Sequence, residues 1–321
     1  MKFNQISSGV TEQTQQALKS LAETELLSQF PIRDYAEFYR ITGNADAPRK
    51  ADATMEAGSN RAIGEDYTPK DNTPDFANVV LKMYGDKIQT DVAHERRGGD
   101  IGSQRAIDLA NGSRAIGRML MDAFINDDAS ANSKKFNGLK KQTTTLGRVA
   151  VFDTENGGTV PTGNGNAERK QQDKFIEFLD VNFNDIAGGP DVIICNGTML
   201  GRLASIGRGY TSFTNVKDIY GREQQVLAFR GVPCINAGFK ASNSGLIIPD
   251  NLTVGENDDC TSLYYVKFGE ASDVTFATNV GLDVKDLGVV GMNYITAVEI
   301  DIDLVVLNAN AVKRLDGFRL V

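Results

Sequence analysis

The sequence predicts an α+β protein: a long helix packed on long antiparallel strands, with a smaller α/β unit inserted between them in the chain. Three observations carry that expectation. In the C-terminal segment, Val298, Ile300, Ile302, Leu304 and Val306 alternate with Glu299, Asp301, Asp303, Val305 and Leu307. A period of two reads as a long strand with one apolar face, and a strand so late in the chain must pair with something far back in sequence. From about Ile101 to Ile125 an apolar stripe recurs at helical spacing through Leu109, Ile116, Leu120 and Ala123, with Met119 and Phe124 beside it. Between these two, Ala167–Ile186 reads as an amphipathic helix, Pro190–Asn196 as a buried strand, and Thr198–Ile206 as a short helix.

Residues 1–48 read as an arm. Gln15–Phe30 carries the helical pattern Leu18, Leu21, Leu26, Leu27, and Pro31 stops it. Such an arm packs on its own chain or on a neighbour. Residues 49–92 read as a long two-stranded excursion. Arg49–Pro74 is polar and interrupted by glycine, whereas Phe76–Val92 is β-like, with Val79, Val80, Leu81, Tyr84 and Ile88. A lone hairpin of this length is marginal in water and needs a surface to lie on. Residues 93–145 hold the long helix, with Asp100 as candidate N-cap and a length of about 40 Å. Gly112 and Gly117 inside it each cost about 1 kcal/mol relative to Ala, so they mark close packing or bending. Residues 146–269 hold the α/β unit, including a glycine-rich loop at Asn156–Asn166 and a strand over Val226–Ala237 broken at Gly231–Pro233. Residues 270–321 hold the closing long strands.

With 41% hydrophobic and 24% charged residues in 321, the chain has the composition of a folded protein with a substantial core. No apolar run approaches the roughly 20 residues of a membrane helix. The first residues lack the apolar region of a signal peptide, so the default compartment is the cytoplasm. Cys195, Cys234 and Cys260 are far apart and odd in number, which suggests buried structural thiols rather than disulfides or a zinc site. The net charge of −8 is concentrated late: residues 241–321 hold 5 basic against 12 acidic residues. That balance argues against a sequence-reading nucleic-acid binder, which needs a basic face.

Catalytic and cofactor motifs are thin, and no cofactor is expected. Gly163-Asn164-Gly165 is followed by Glu168 where a dinucleotide fingerprint needs glycine, and no Gly-Lys pair exists to make a phosphate loop. His94, the only histidine, sits in the charged run His94-Glu95-Arg96-Arg97 and reads as a solvated or ion-paired loop residue. Glu299, Asp301 and Asp303 share one strand face. Three carboxylates so placed read as a divalent-cation site, as a solvated face, or as a surface that pairs with basic residues of another subunit.

Taken in order, these segments resemble the major capsid proteins of tailed bacteriophages with the HK97-type fold. The resemblance spans nearly the whole chain and lies in the order of elements. It makes residues 1–48 the N-terminal arm, 49–92 the E-loop hairpin, 93–145 the spine helix and start of the P-domain, 146–269 the A-domain, and 270–321 the C-terminal strands of the P-domain. Phe136-Asn137-Gly138-Leu139 is similar to a turn that family members carry after the spine helix. Asp191–Asn196 with the following helix is similar to the family's strand–Asn–helix segment, and Asn310–Leu315 to its closing motif. Leu227–Ala237 departs from the family's strand pattern by one residue between Gly231 and Pro233.

The resemblance implies a structural subunit, not an enzyme, that forms hexamers and pentamers and closes into an icosahedral virion shell around double-stranded DNA, without sequence-specific DNA contacts and without a membrane. It implies assembly in the host cytoplasm with a portal, a separate scaffolding protein and, in some members, a decoration protein. Some members crosslink an E-loop lysine to a P-domain asparagine; Lys70 with Asn308 or Asn310 would be the corresponding pair. Within this picture Glu299, Asp301 and Asp303 are expected to receive Arg61 and Lys70 of a neighbour's hairpin, or Arg33 and Arg40 of its arm. The alternatives are an encapsulin-type nanocompartment shell and a metal-dependent enzyme using the Glu299/Asp301/Asp303 strand.

Overall fold

The computed structural model describes residues 13–50, 60–67, 74–97, 101–152, 157–206, 211–217, 223–242 and 244–320. Along the chain these form helix α1 (Gln13–Ser28), strands β1 (Phe38–Arg40), β2 (Ala45–Asp46), β3 (Val79–Val80) and β4 (Lys82–Asp91), and the short helix α2 (Ala93–Arg96). The long helix α3 (Ile101–Asn126) follows, then α4 (Leu139–Thr145), β5 (Val149–Val151), α5 (Asn166–Asn184), β6 (Val192–Cys195) and α6 (Gly197–Ile206). The remainder is almost all strand: β7 (Thr211–Lys217), β8 (Glu223–Phe229), β9 (Val232–Asn236), β10 (Leu252–Val254), β11 (Asn257–Val266), β12 (Val274–Val290), β13 (Asn293–Val306) and β14 (Val312–Arg319).

Two sheets organise these elements. The first has the order β1-β12-β13-β4, antiparallel except for the parallel pair β1–β12. The second has eight strands in the order β5-β14-β11-β6-β9-β8-β7, with β10 beside β11. Helices α1 and α3 cover one face of the first sheet. Phe30, Phe38, Phe124 and Phe276 meet there, with Phe38 stacked on Phe276 at 5.1 Å and Phe124 tilted against it at 5.4 Å. The same core continues under the second sheet. Val192 and Ile194 of β6 and Tyr264 and Val266 of β11 point into it. Ile193, Cys195, Leu263 and Tyr265, the alternate residues, point the other way into a separate core with Phe175, Leu179 and Phe183 of α5. Strands buried on both faces must be apolar at every position, which is why Val192–Cys195 shows no alternation.

The two glycines of α3 sit at points of close approach. A β-carbon at Gly117 would stand 2.4 Å from the Leu26 carbonyl oxygen of α1, and one at Gly112 would meet the Ile88 side chain of β4 at the same separation. Only glycine lets α1 lie this near the spine of the molecule. After α3, Asp127 accepts from Tyr84 Oη at 2.6 Å and pairs with Lys135, which fixes the turn through buried Phe136 and Leu139. The three cysteines are buried and unlinked. Burial pushes the Cys195 thiol far up and the Cys234 thiol up to about 12, so neither ionises near neutrality.

Of the two placements expected for the arm, its described part takes the one on its own chain: Leu26, Phe30, Ile32 and Phe38 are fully buried in the shared core, and β1 pairs with β12. Other expectations change. Lys82–Asp91, expected as the return leg of the hairpin, instead forms the edge of the first sheet against β13. The excursion is therefore shorter, leaving the body between Asp46 and Val79. Its root is a ladder of two residue pairs, Ala45 with Val80 and Asp46 with Val79. The last strand does not stay with its neighbours. A tight turn over Ala309–Ala311, capped by the Asn308 side chain, carries β14 across to the second sheet between β11 and β5. The broken strand at 226–237 is a hairpin, in which Arg230 and Gly231 both take positive φ (52° and 83°). That is the two-residue turn whose twist suits adjacent antiparallel strands. Asp100 and Lys70 lie outside the described residues.

Candidate functional site

The face of the first sheet turned away from α3 carries the residues of interest. Strand β13 is central in it, so its even-numbered residues Val298, Ile300, Ile302 and Leu304 feed the core. Its odd-numbered residues face outward. Glu299 lies opposite Asp283 on β12 and Gly85 on β4, so two carboxylates stand side by side with no side chain on the third strand. Asp301 lies opposite Met83. The next outward row holds Lys285 and Lys87 on either side of Ala297. Lys285 bonds Asp283 at 2.7 Å, and Asp283, then Glu299, hold its ammonium above the usual range. The face thus presents an acidic row beside a basic one.

The predicted residues do not act as one set. Glu299 is exposed, and Asp301 is partly covered because a bulge in β12 brings Asn279 Nδ2 to its carboxylate at 3.1 Å. Arg40 is brought to the same rim, where its Nε donates to the Asn279 carbonyl at 2.7 Å. Asp303 departs from the expectation of an outward, solvated carboxylate. It is only 9% exposed and accepts from the Val80 backbone N–H at 2.9 Å, under the root of the excursion. Burial raises its carboxyl to about 6 against the opposing pull of the Val80 and Leu304 N–H groups and Lys82. Arg33 is not on this face: it donates to the Leu27 carbonyl at the end of α1, with a side chain 12% exposed. Arg61 is exposed on the excursion, donating to the Glu65 carbonyl and lying over the Tyr67 ring at 5.3 Å. Asn308 is engaged with Asp273 at 2.8 Å.

The metal reading of the acidic strand fails on geometry. Asp303 is withdrawn beneath the excursion, Asp301 is held by Asn279, and no group of three His, Cys, Asp or Glu among the described residues is placed to hold an ion. No helix among them is long and apolar enough to cross a membrane.

Three exposed features were not singled out from the sequence. Asp283 and Lys285 lie in a strand whose glycines, Gly281 and Gly288, mask its period. At the turn between β12 and β13, Leu287, Val289, Val290 and Met292 are exposed together. Arg105 of α3 anchors this tip, pairing with Asp286 at 2.9 Å and lying over the Tyr294 ring at 4.8 Å. On the excursion, Ile63, Tyr67 and Phe76 are exposed. Adjacent apolar residues at a strand tip are the signal that would have found the second feature.

The chain has the HK97-like capsid fold. It superposes on the encapsulin SrpI from Synechococcus elongatus with a TM-score of 0.55 and 16% identity, covering 89% of this chain and 86% of that one. It matches the virus-like particle from Pyrococcus furiosus with a TM-score of 0.51 and 11% identity, covering 95% and 100%. The capsid of a native GTA particle gives a TM-score of 0.51 at 15% identity, covering 97% and 92%. No family model matches the sequence, and no curated protein matches it.

Proposed function

We propose that this HK97-fold chain is a shell-forming structural subunit, the major capsid protein of a tailed bacteriophage, which assembles as hexamers and pentamers into an icosahedral head around double-stranded DNA. The observation that carries the reading is the excursion between Asp46 and Val79. Its two legs are held to each other by the short β2–β3 ladder and the Arg49–Phe76 bridge, and among its described residues Ile63, Tyr67 and Phe76 are exposed. Apolar side chains on a projection with so little support call for a second copy to lie on. The similarity in fold to shell proteins, over nearly the full length of each, supports the same conclusion. An acidic wall suits a container that must not grip the phosphates it encloses. Assembly in the host cytoplasm with a portal, separate scaffolding and a decoration protein belongs to this proposal.

Within it, the row Asp283, Glu299 and Asp301 is where a neighbour's excursion docks, with Arg61 and Lys70 as its basic contacts and Arg40 at the rim. An exposed pair contributes only about 0–1 kcal/mol, but each shell repeats it at every subunit. Glu299→Arg should lower particle yield while leaving unfolding of the subunit within about 0.5 kcal/mol of wild type, and Arg61→Glu in the same chain should restore part of the yield. Undiminished particles from Glu299→Arg would count against this docking site.

The encapsulin reading is the second one, favoured by the similarity to the SrpI shell. Particles purified from cells and treated with nuclease separate the two. Protected double-stranded DNA supports the capsid; a co-purifying protein cargo with no DNA supports the nanocompartment.

A further inference from the structure

An asparagine followed by glycine can react with its own backbone in water, because glycine sets no side chain in the path of its nitrogen. The chain holds five such pairs: Asn111-Gly112, Asn137-Gly138, Asn156-Gly157, Asn164-Gly165 and Asn196-Gly197. The fold treats them differently. Asn111-Gly112 lies inside α3, where the Gly112 N–H belongs to the helical ladder. Asn137 Oδ1 accepts from the Ala129 N–H at 3.0 Å, and the Gly138 N–H donates to the Asp127 carbonyl at 2.8 Å. Asn196 is buried, with its amide engaged by the Met199 N–H and by Thr261. In each of these three, the attacking nitrogen or the amide it would attack is held in place. Asn156 lies outside the described residues.

Asn164-Gly165 is held at neither group. Residues 162–167 are all exposed, and no hydrogen bond among the described residues engages the Asn164 side chain. Gly165 is the N-cap of α5, in extended backbone (φ −68°, ψ 163°). Its carbonyl accepts from the Arg169 N–H at 2.9 Å, while its own N–H lies ahead of the helical ladder. The segment around the pair is nonetheless fixed, since Gln172 Nε2 donates to the Pro161 carbonyl at 3.0 Å and to the Gly163 carbonyl at 2.9 Å. Glu168 folds back over the same turn, so a β-carbon at Gly165 would collide with its carboxylate. The way α5 begins therefore requires glycine at 165, and that requirement leaves an unshielded Asn-Gly pair on the surface.

We propose that Asn164 is a modification site at which the folded chain converts its own side-chain amide to a carboxylate. The Gly165 nitrogen loses its proton to solvent and bonds to Asn164 Cγ. The Cγ–Nδ2 bond breaks and ammonia leaves, which closes a five-membered imide. Water then adds to one imide carbonyl. Breaking the bond from Cγ to the Gly165 nitrogen gives aspartate, and breaking the bond from the backbone carbonyl carbon gives isoaspartate. Nothing is oxidised or reduced: water is consumed and ammonia released. Each event sets one new negative charge beside Glu168, and isoaspartate also lengthens the backbone by one carbon next to the Gln172 clamp. The inference concerns the single chain and does not depend on its forming a shell.

Peptide mass spectrometry on the full-length protein tests this, with Asn156→Gln as the background so that the four described pairs are compared. The protein is incubated in mildly alkaline buffer, once folded and once unfolded in urea. In the unfolded chain Asn111, Asn137, Asn164 and Asn196 should each gain one mass unit at comparable rates. In the folded chain Asn164 should convert at least about tenfold faster than the other three, because those must first open locally. Isoelectric focusing of the folded sample should show a band one charge more acidic growing with time, and Asn164→Gln in the same background should not develop it. Conversion of Asn111, Asn137 or Asn196 as fast as Asn164 in the folded chain would overturn the proposal. So would an intact Asn164 in the folded chain after the unfolded one has converted, or an acidic band undiminished in Asn164→Gln.

Discussion

The body and the excursion of this molecule are held together by different means. In the body, α1, α3 and both sheets share one core, and α1 comes so close to α3 that a glycine is required at the contact. The excursion has at its base the short β2–β3 ladder, the Arg49–Phe76 bridge, the bond from Val80 N–H to Asp303 and a small apolar cluster, and Ile63, Tyr67 and Phe76, among its described residues, are exposed. The difference teaches where self-sufficiency ends. The body buries an extensive core within one chain, although Met83, Val181, Phe213 and Phe239 stay exposed on it, whereas the large apolar residues of the β12–β13 tip and those described on the excursion are exposed together.

That contrast is sharpest where the body is broken. Phe124→Ala removes a fully buried ring packed against Phe268 and Phe276 and should destabilise the chain by about 3–5 kcal/mol in denaturant titration. A smaller loss is expected at Asn196, which is 1% exposed. Its Oδ1 caps α6 through the Met199 N–H at 2.8 Å, and its Nδ2 donates to Thr261 at 3.0 Å. Asn196→Ala leaves the buried Met199 N–H without its acceptor, while Thr261 keeps its bond to the Pro249 carbonyl, and should cost about 1–3 kcal/mol by the same titration. Gly117→Ala would stabilise an isolated helix by about 1 kcal/mol. Here it should destabilise by about 1–3 kcal/mol, because the new carbon meets the α1 backbone and not a movable side chain. A gain in melting temperature would show that α1 is not seated as described. Ile63→Ser, on the excursion, should change subunit stability by no more than about 0.5 kcal/mol and yet reduce particle yield. A large stability loss there would place the excursion inside the body's own core.

The parts of this architecture that were legible in the sequence are those fixed by local period. The α3 stripe from Leu109 to Ala123 and the β13 alternation from Val298 to Val306 each bury the residues their spacing marks. Gly112 and Gly117 pointed to close packing or bending, and both stand at points of close approach. Pairing partners were not legible, since a strand's pattern states that it has an apolar face and not which sheet receives it. Lys82–Asp91 and Val312–Arg319 were misplaced for that reason. Asp303 was misread for a related one. Its parity in β13 puts it outward with Glu299 and Asp301, and only the chain returning over it from Val79–Val80 turns an outward carboxylate into a buried one. Asp283 and Lys285 stayed hidden because the bulges around Gly281 and Gly288 interrupt the alternation that would have placed them on the same face.

The central claim is that the exposed apolar excursion and the acidic sheet face are completed by other copies of the same chain. Negative-stain electron microscopy of the purified full-length protein, with sedimentation of the same sample, tests it most directly. The account predicts closed shells of uniform diameter, or the hexameric and pentameric rings that build them. A single monodisperse monomer at every concentration tested, with the body fully folded, would contradict it.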